Sequence, residues 1–458
     1  MTVPSHIFRA YDVRGVVGQD LTPQVARDLG RAVGSHLLQR VGGADHTSRT
    51  VAVGRDCRVH SPAVACALVD GLVSTGLDVL DIGVVPTPLL YFAVHSRATA
   101  GGVMVTGSHN PPDYNGFKLM EGSNTLYGEA IQDLRRRIDE GDLVSGAGEV
   151  RREDLGTEYQ DALAQAIRPA PRRMAVVVDA GNGTAGPVAA PAYRRLGHTV
   201  EELYCRMDGT FPHHHPDPSL PENLEALADR VRHLGANLGL AFDGDSDRLG
   251  VVDAAGRVVA ADRLLALLAR PVLAEHPGGV VIGEVKCSQV LFDDLRRHGG
   301  QPVMGPVGHS LVKAELKRRG AILAGELSGH LFFADRWYGF DDAIYAGARV
   351  LELLASSPTP LDARLADLPA THATPELRVA CADDAKFAVV DAVRASLSAD
   401  HEVVLVDGVR VSFDGGWGLV RASNTEPALV LRAEADSAER LTEIRRTLES
   451  TLASVMGS

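Results

Sequence analysis

The chain has 458 residues, 45% of them hydrophobic and 23% charged, a composition that sustains several packed cores and excludes extensive disorder. Its formal net charge of -13 excludes the broad basic face needed for unspecific binding to nucleic acid or to an anionic membrane surface, so an anionic substrate has to be met by local positive charge. Five cysteines without C-x-x-C spacing, no apolar run of about 18 residues and no apolar leader in MTVPSHIFRAYDVRG argue for reduced thiols, no membrane span and a cytoplasmic location.

Along the chain one pattern occurs three times. An apolar run ends in a polar or Gly-rich loop at VAVGRDCR from Val51, MAVVVDAGNG from Met174 and GVVIGEVKCS from Gly279. After a helix-like stretch and a glycine comes a second run, GLDVLDIG, GHTVEELY and GGQPVMGPVGH, and a third closes each copy at GGVMVTGSHN, GANLGLAFDGDSD and GAILAGELSGH. Near-continuous apolar strands alternating with helices predict three β-α-β-α-β units with mainly parallel sheets covered on both faces. Ligands of such sheets bind beyond the carboxyl ends of the strands, which directs attention to the third-strand loops. The pattern stops after residue 367. The stretch from Val403 to Ala435 alternates and turns like an antiparallel sheet, and DSAERLTEIRRTLESTLASV reads as a terminal helix. Four domains are therefore expected, at 1–150, 151–254, 255–367 and 368–458.

In the first third-strand loop, MVTGSHNPPDYNGFK, Ser108 lacks the G-x-S-x-G elbow of a serine hydrolase, and alone it reads as a turn serine bonding its own backbone. The second loop, DGDSDR, places Asp243, Asp245 and Asp247 at alternate positions, where converging carboxylates call for a cation and hard oxygen ligands suit Mg2+. An EF-hand fails, because Arg248 and Ala254 stand where Gly and Glu are required. Beside such a metal the Ser108 hydroxyl could carry a phosphoryl group, with Lys118 placed to offset developing charge. The third loop, GELSGH, offers Glu326, Ser328 and His330, donors and acceptors that suit sugar hydroxyls, or else a capped helix start. In RASNTEP, Arg421, Ser423, Asn424 and Thr425 form either a phosphate-binding nest or a surface turn, and Glu426 suits a phosphate site only if it points away. GNGTAG from Gly181 matches a dinucleotide fingerprint, but no hydride-site motif accompanies it. The histidines at 213–215 cannot all face one ion and read as structure.

Taken in order, FRAYDVRG, GRDCR, TGSHNPPDYNGFK, DAGNG, FDGDSDR, GEVKCS, GELSGH, GFDDAI and RASNTEP resemble, from end to end, the α-D-phosphohexomutases, and within them the bacterial phosphomannomutase/phosphoglucomutase group. The resemblance implies an α/β fold of three related mixed-sheet α/β domains plus a smaller C-terminal α+β domain around a central cleft. It implies that Ser108 is the phosphoserine and that Asp243, Asp245 and Asp247 hold Mg2+, with the phosphate on Ser108 completing the shell. Glu326 and Ser328 would grip sugar hydroxyls beside His330, and Arg421, Ser423, Asn424 and Thr425 would take the distal phosphate. Tyr11, Arg14, Lys286 and His309 match cleft-lining positions, while Lys118, Arg248 and His330 stand as acid, base or charge-stabilising groups.

The implied activity is interconversion of hexose 1-phosphate and hexose 6-phosphate, of mannose or glucose, through a hexose 1,6-bisphosphate that also serves as activator. The partners are then small-molecule sugar phosphates, and the chain a monomer or small homo-oligomer. A phosphoglucosamine mutase and a Mg2+-dependent sugar phosphatase are the alternatives. The leucine of GELSGH resembles the hexose-phosphate group, since glucosamine-phosphate mutases tend to glutamine there. Gly107 stands where many members have alanine, and Glu426 where some have threonine.

Overall fold

Strands Thr50–Arg55, Asp78–Val84 and Gly101–Val105 run parallel, the first of them in the middle, with helices Ser61–Val73 and Thr87–Arg97 crossing between them. Apart from Val84 at a strand end, their large apolar residues are buried on both faces, as a helix-covered parallel sheet requires. Tyr114–Glu121 then returns antiparallel along Gly101–Val105, so residues 106–113 become the tip of a hairpin. Val13–Val16 and Val150–Arg152 close the two edges of this sheet. In the computed structural model, which describes residues 3–40, 48–424 and 426–457, this plan recurs twice.

The second copy uses Ala175–Asp179, Thr199–Leu203 and Leu238–Phe242 in parallel and Leu249–Asp253 as the antiparallel return. The third uses Val280–Glu284, Gln301–Gly305 and Leu323–Gly325, with Leu331–Phe333 returning. The turns at 243–248 and 326–330 are far shorter than the stretch of about a dozen residues that a parallel crossover needs, so each sheet is mixed. All three loops that carry unusual residues are thus hairpin tips at equivalent places.

The fourth sheet is antiparallel throughout, with Val403–Val404, Val409–Phe413, Gly416–Ala422 and Ala428–Ala435 in sequence order. His372–Ala373 and Leu377–Ala380 both pair with Ala428–Ala435. Helices Lys386–Leu397 and Ala438–Met456 pack on it through Val393, Leu397, Ile444 and Leu448. Among the described residues, no helix is long and apolar enough to cross a membrane.

The second and third units share a core with the helix Gly156–Ala166. There Asp342 caps helix Ala343–Ala355 by accepting the Tyr345 N–H at 2.8 Å, and it also accepts from the Tyr159 hydroxyl at 2.8 Å and Trp337 Nε1 at 3.0 Å. Burial, opposed by these hydrogen bonds, raises its carboxyl from 3.8 to about 7. A folded state that holds this proton more tightly than the unfolded chain is favoured at low pH. The contribution, on the order of 4 kcal/mol, is lost as pH rises through that window. Urea-unfolding free energies of Asp342→Asn, which keeps an acceptor at the cap, are expected to lack this decline; an equally steep decline in the variant would reject the assignment.

Candidate active site

Ser108 sits at the first hairpin tip in the left-handed region, with φ 47, and is buried. A non-glycine residue keeps that conformation only when its surroundings hold it. Thr106 Oγ1 accepts the Ser108 N–H at 2.8 Å. The buried Arg58 guanidinium donates to the carbonyls of Ser108 at 2.8 Å, Asn110 at 2.5 Å, Pro111 at 2.6 Å and Tyr114 at 3.1 Å. Asp56 lies 3.4 Å from Arg58 and accepts the Gly107 N–H at 3.0 Å. A Cβ at Gly107 would lie 2.5 Å from the Arg58 guanidinium carbon, which accounts for the glycine. The turn leaves the Ser108 hydroxyl donating to Asp243 Oδ2 at 2.7 Å.

Asp243, Asp245 and Asp247 are fully buried, and a ligand oxygen of each lies within 4.8 Å of the others. Lys118 Nζ, from the first domain, donates to Asp245 Oδ2 at 2.6 Å and also to Asp247 Oδ2, while the Thr87 hydroxyl donates to Asp245 Oδ2 at 2.5 Å. Asp243 Oδ1 accepts the N–H groups of Asp247 at 3.0 Å and Arg248 at 3.1 Å. Burial, with the charges of Asp247 and Asp245, pushes Asp243 well above the usual carboxylate range. Burial raises its two neighbours as well, but Lys118 outweighs it at both, joined by His330 at Asp247, and holds them low. Asp245 Oδ1 remains buried without a hydrogen-bond partner, and Asp247 Oδ1 meets only the His330 ring, at 3.3 Å. Three converging carboxylates, one with an orphaned oxygen, fit a divalent cation with hard oxygen ligands. Arg248 faces the same charges: burial would lower it, but Asp217, Asp243, Asp247 and Glu326 keep it protonated.

The second and third tips are joined by backbone. Arg248 and His330 form an antiparallel bridge, and the Leu249 N–H donates to the Gly329 carbonyl at 3.0 Å. The GELSGH stretch is therefore a hairpin turn and not a helix start. His330 Nε2 lies 3.3 Å from Asp247, and its Nδ1 lies 2.9 Å from Ser328 Oγ and 3.1 Å from Glu326 Oε2. Burial would lower this imidazole, but Asp247 and Glu326 prevail and raise it to about 9. His309 stacks on it with centroids 5.6 Å apart, and burial and Lys313 lower His309 to about 4. Two neighbouring rings thus carry opposite protonation at neutral pH. Glu326 Oε1 accepts the Gly308 N–H at 2.7 Å. Tyr11 packs edge-on against His309, its phenol pushed by burial and Asp12 to about 12. Arg14 donates to Asp12 at 2.6 Å and to Asn110 of the Ser108 loop.

Lys286 and Arg421 are held by carboxylates. Lys286 Nζ donates to Glu376 at 2.6 Å, across to the fourth domain. Arg421 Nη2 donates to Asp407 Oδ2 at 3.0 Å; the same oxygen accepts the Val307 N–H at 3.0 Å, which ties Arg421 to the segment leading to His309. Arg421 Nε is buried without a hydrogen-bond partner. Ser423 and Asn424 follow, and Thr425 lies outside the described residues. Buried Lys386 donates to the carbonyls of Ser423 at 2.6 Å and Glu426 at 3.2 Å, pinning this turn from behind. The Glu426 carboxylate pairs with the half-exposed Arg378, so it does not crowd the turn.

Arg58, Asp407 and Lys386 are residues that sequence reading missed. Arg58 lay within the GRDCR motif, but its partners are main-chain carbonyls, which leave no trace in residue type. The GNGTAG turn also has a structural occupation: the Thr184 N–H donates to the Gly244 carbonyl at 3.1 Å, and a Cβ at Gly183 would lie 2.7 Å from that oxygen. The turn backs the aspartate loop. His214 binds Asp179 at 3.1 Å and His213 stacks on Tyr204 at 4.0 Å, so these histidines serve the same turn.

The phosphoglucomutase/phosphomannomutase family matches the chain in four consecutive pieces. Its alpha/beta/alpha domains I, II and III match residues 5–144, 157–256 and 260–372, and its C-terminal domain matches residues 376–450. A relative from Pseudomonas aeruginosa named phosphomannomutase/phosphoglucomutase is 47% identical over 100% of this chain and 97% of its own. A phosphoglucomutase from Neisseria meningitidis is 44% identical over 98% of this chain and 97% of its own. A crystal structure of a phosphoglucomutase/phosphomannomutase family protein from Burkholderia thailandensis superimposes with a TM-score of 0.93 at 44% identity, covering 99% of this chain and 98% of that one.

If the aspartate cluster binds a divalent cation, adding magnesium chloride to metal-stripped protein stabilises it by about 2.7 kcal/mol at a hundredfold excess over the dissociation constant. A rise of several degrees in melting temperature is expected, and it should vanish in Asp245→Asn and Asp247→Asn; an equal rise in both variants would exclude the cluster as the site.

Proposed function

Because the chain belongs to the phosphoglucomutase/phosphomannomutase family, we propose that Ser108 carries a phosphoryl group and exchanges it with either end of a hexose monophosphate. The protein is a phosphohexomutase, interconverting hexose 1-phosphate and hexose 6-phosphate, with mannose and glucose phosphates as the proposed substrates. The observation that carries the reading is the hydrogen bond from a strained, buried Ser108 to Asp243 of a buried aspartate triad, with Lys118 alongside.

In the forward direction the Ser108 Oγ–P bond breaks as the free hydroxyl of the bound sugar forms its own bond to phosphorus, and the proton that this hydroxyl gives up ends on the departing Ser108 Oγ. The resulting 1,6-bisphosphate turns end for end, and its other phosphate returns to Ser108. Both transfers develop charge on the phosphoryl oxygens. Lys118, Arg248 and His330 all hold their protons at neutral pH, so they enter as fixed positive charge. Mg2+ bound by Asp243, Asp245 and Asp247 would neutralise further charge on that group. Glu326 and Ser328 would hold sugar hydroxyls in both orientations. Arg421, Ser423 and Asn424 would hold whichever phosphate is not reacting, displacing Asp407 from Arg421. Tyr11, Arg14, Lys286 and His309 complete the wall around the sugar. Hexose 1,6-bisphosphate would act as activator by rephosphorylating Ser108.

Phosphorus NMR of the protein with magnesium, a trace of glucose 1,6-bisphosphate and either mannose 1-phosphate or glucose 1-phosphate tests this. The expected outcome is 6-phosphate without free phosphate, with turnover lower by at least about a thousandfold in Ser108→Ala, which still binds sugar phosphate. Accumulation of free phosphate alone would make the protein a phosphatase, and substantial mutase turnover in Ser108→Ala would end the phosphoserine scheme. Lys386→Met is expected to raise KM about tenfold with kcat within about twofold, since it unpins the phosphate turn without touching the transferred group. An unchanged KM would remove that role from Lys386.

A further inference from the structure

A cavity of about 500 Å3 lies between the first and third domains, lined by neither Ser108, the aspartates nor Arg421. One wall is the end of the hairpin that carries Lys118, with Asn124, Thr125 and Tyr127; the other is the helix His309–Arg319. Its size is that of a small-molecule site.

Three features set it apart. The first is charge. Lys313, Lys317 and Arg318 line it and no carboxylate does, a local reversal in a chain of net charge -13. Asp341 takes up Lys313 at 2.5 Å and Glu315 takes up Arg318, but Lys317 donates to a neutral amide oxygen, that of Asn124, at 2.8 Å. Its charge, after burial, helps lower His95, another lining residue. The second is unmet hydrogen bonding. Thr125 on one wall and Ser310 on the other are 7% and 1% exposed, and the hydroxyl of each is without a hydrogen-bond partner. The third is a flat apolar surface. Tyr338 and Phe340 stack in parallel with centroids 5.7 Å apart, and Tyr127 and Tyr338 remain 38% and 45% exposed.

We propose that this cavity is a nucleotide site, in which the base lies on the exposed ring of Tyr338 and the phosphates meet Lys317 and Arg318. Ring faces beside Lys317, which no carboxylate takes up, and the exposed Arg318 suit a planar base linked to phosphate better than a free inorganic anion, which would use only the cations. An occupant bridges two domains. It also touches Lys313, whose ammonium lies 3.1 Å from His309 Nδ1, and so reaches the wall of the cleft.

Isothermal titration of the full chain with ADP, in the presence of excess glucose 6-phosphate to fill the cleft, tests this. Saturable binding is expected, weakened at least about tenfold in Lys317→Glu and in Tyr338→Ala, two exposed positions whose basal mutase kcat/KM should stay within about twofold of the parent. Absence of saturable heat, binding abolished by the sugar phosphate, or binding unaffected by both substitutions would overturn the proposal. Basal turnover, recorded on the same proteins without ADP, reports on the mutase reading independently.

Discussion

The Lys118 ammonium, placed between Asp245 and Asp247, is the contact on which the arrangement of the site depends. It crosses from the first domain to the second, and it keeps two of three buried aspartates charged. Buried carboxylates that lose their partner carry a large desolvation penalty, so the domains cannot separate at this point without solvating or protonating the triad. The same contact sets the distance over which Ser108 can meet Asp243. One cation still leaves the cluster negatively charged. That residual charge makes a metal a natural further component, and it draws Arg248 and His330 into the same network.

Around this centre the positively charged groups that would meet phosphate are already occupied. Arg421 is held by Asp407, and Lys286 by Glu376. Each carboxylate keeps a long cationic side chain ordered and desolvated in a fixed place, so less conformational entropy remains to be lost when a phosphate replaces it. The pose of the fourth domain is set in the same way. Arg410 donates to the carbonyls of Val285 and Cys287, and Glu434 accepts from Ser288, Gln289 and Trp417. These polar contacts tie the fourth domain to the third through a few exchangeable hydrogen bonds, alongside a small apolar cluster of Val285, Trp417 and Leu419.

Strain is concentrated where the repeats meet. Ser108, Asn182 and Ser246 are non-glycine residues with positive φ, on three loops that touch. Thr184 and Ser246 hydroxyls lie 3.0 Å apart, and the Thr184 N–H holds the Gly244 carbonyl. The Gly-rich turn of the second domain thus supports the aspartate loop, and the aspartate loop supports Ser108. Interlocked turns of this kind sustain conformations that none would keep alone.

The threefold repeat was legible because strand burial on both faces leaves continuous apolar runs, and because short tips between them leave Ser108, the aspartates and GELSGH as departures from that pattern. Charge type and spacing likewise marked the triad as a candidate cation site, and the resemblance of nine motifs named the family. What sequence could not carry was anything made by main-chain atoms or by carboxylates distant in the chain. Arg58 holds four carbonyls of the Ser108 loop, Lys386 holds two behind Arg421, and Asp407 links Arg421 to Val307. Protonation was also out of reach. His309 and His330 are the same residue type, yet burial with Lys313 leaves one neutral while two carboxylates keep the other protonated. Residue types and their periodicity determined which elements form and which loops are chemical; only the packed domains decided which charges face each other, because electrostatic energy depends on distance and burial, and neither is written along the chain.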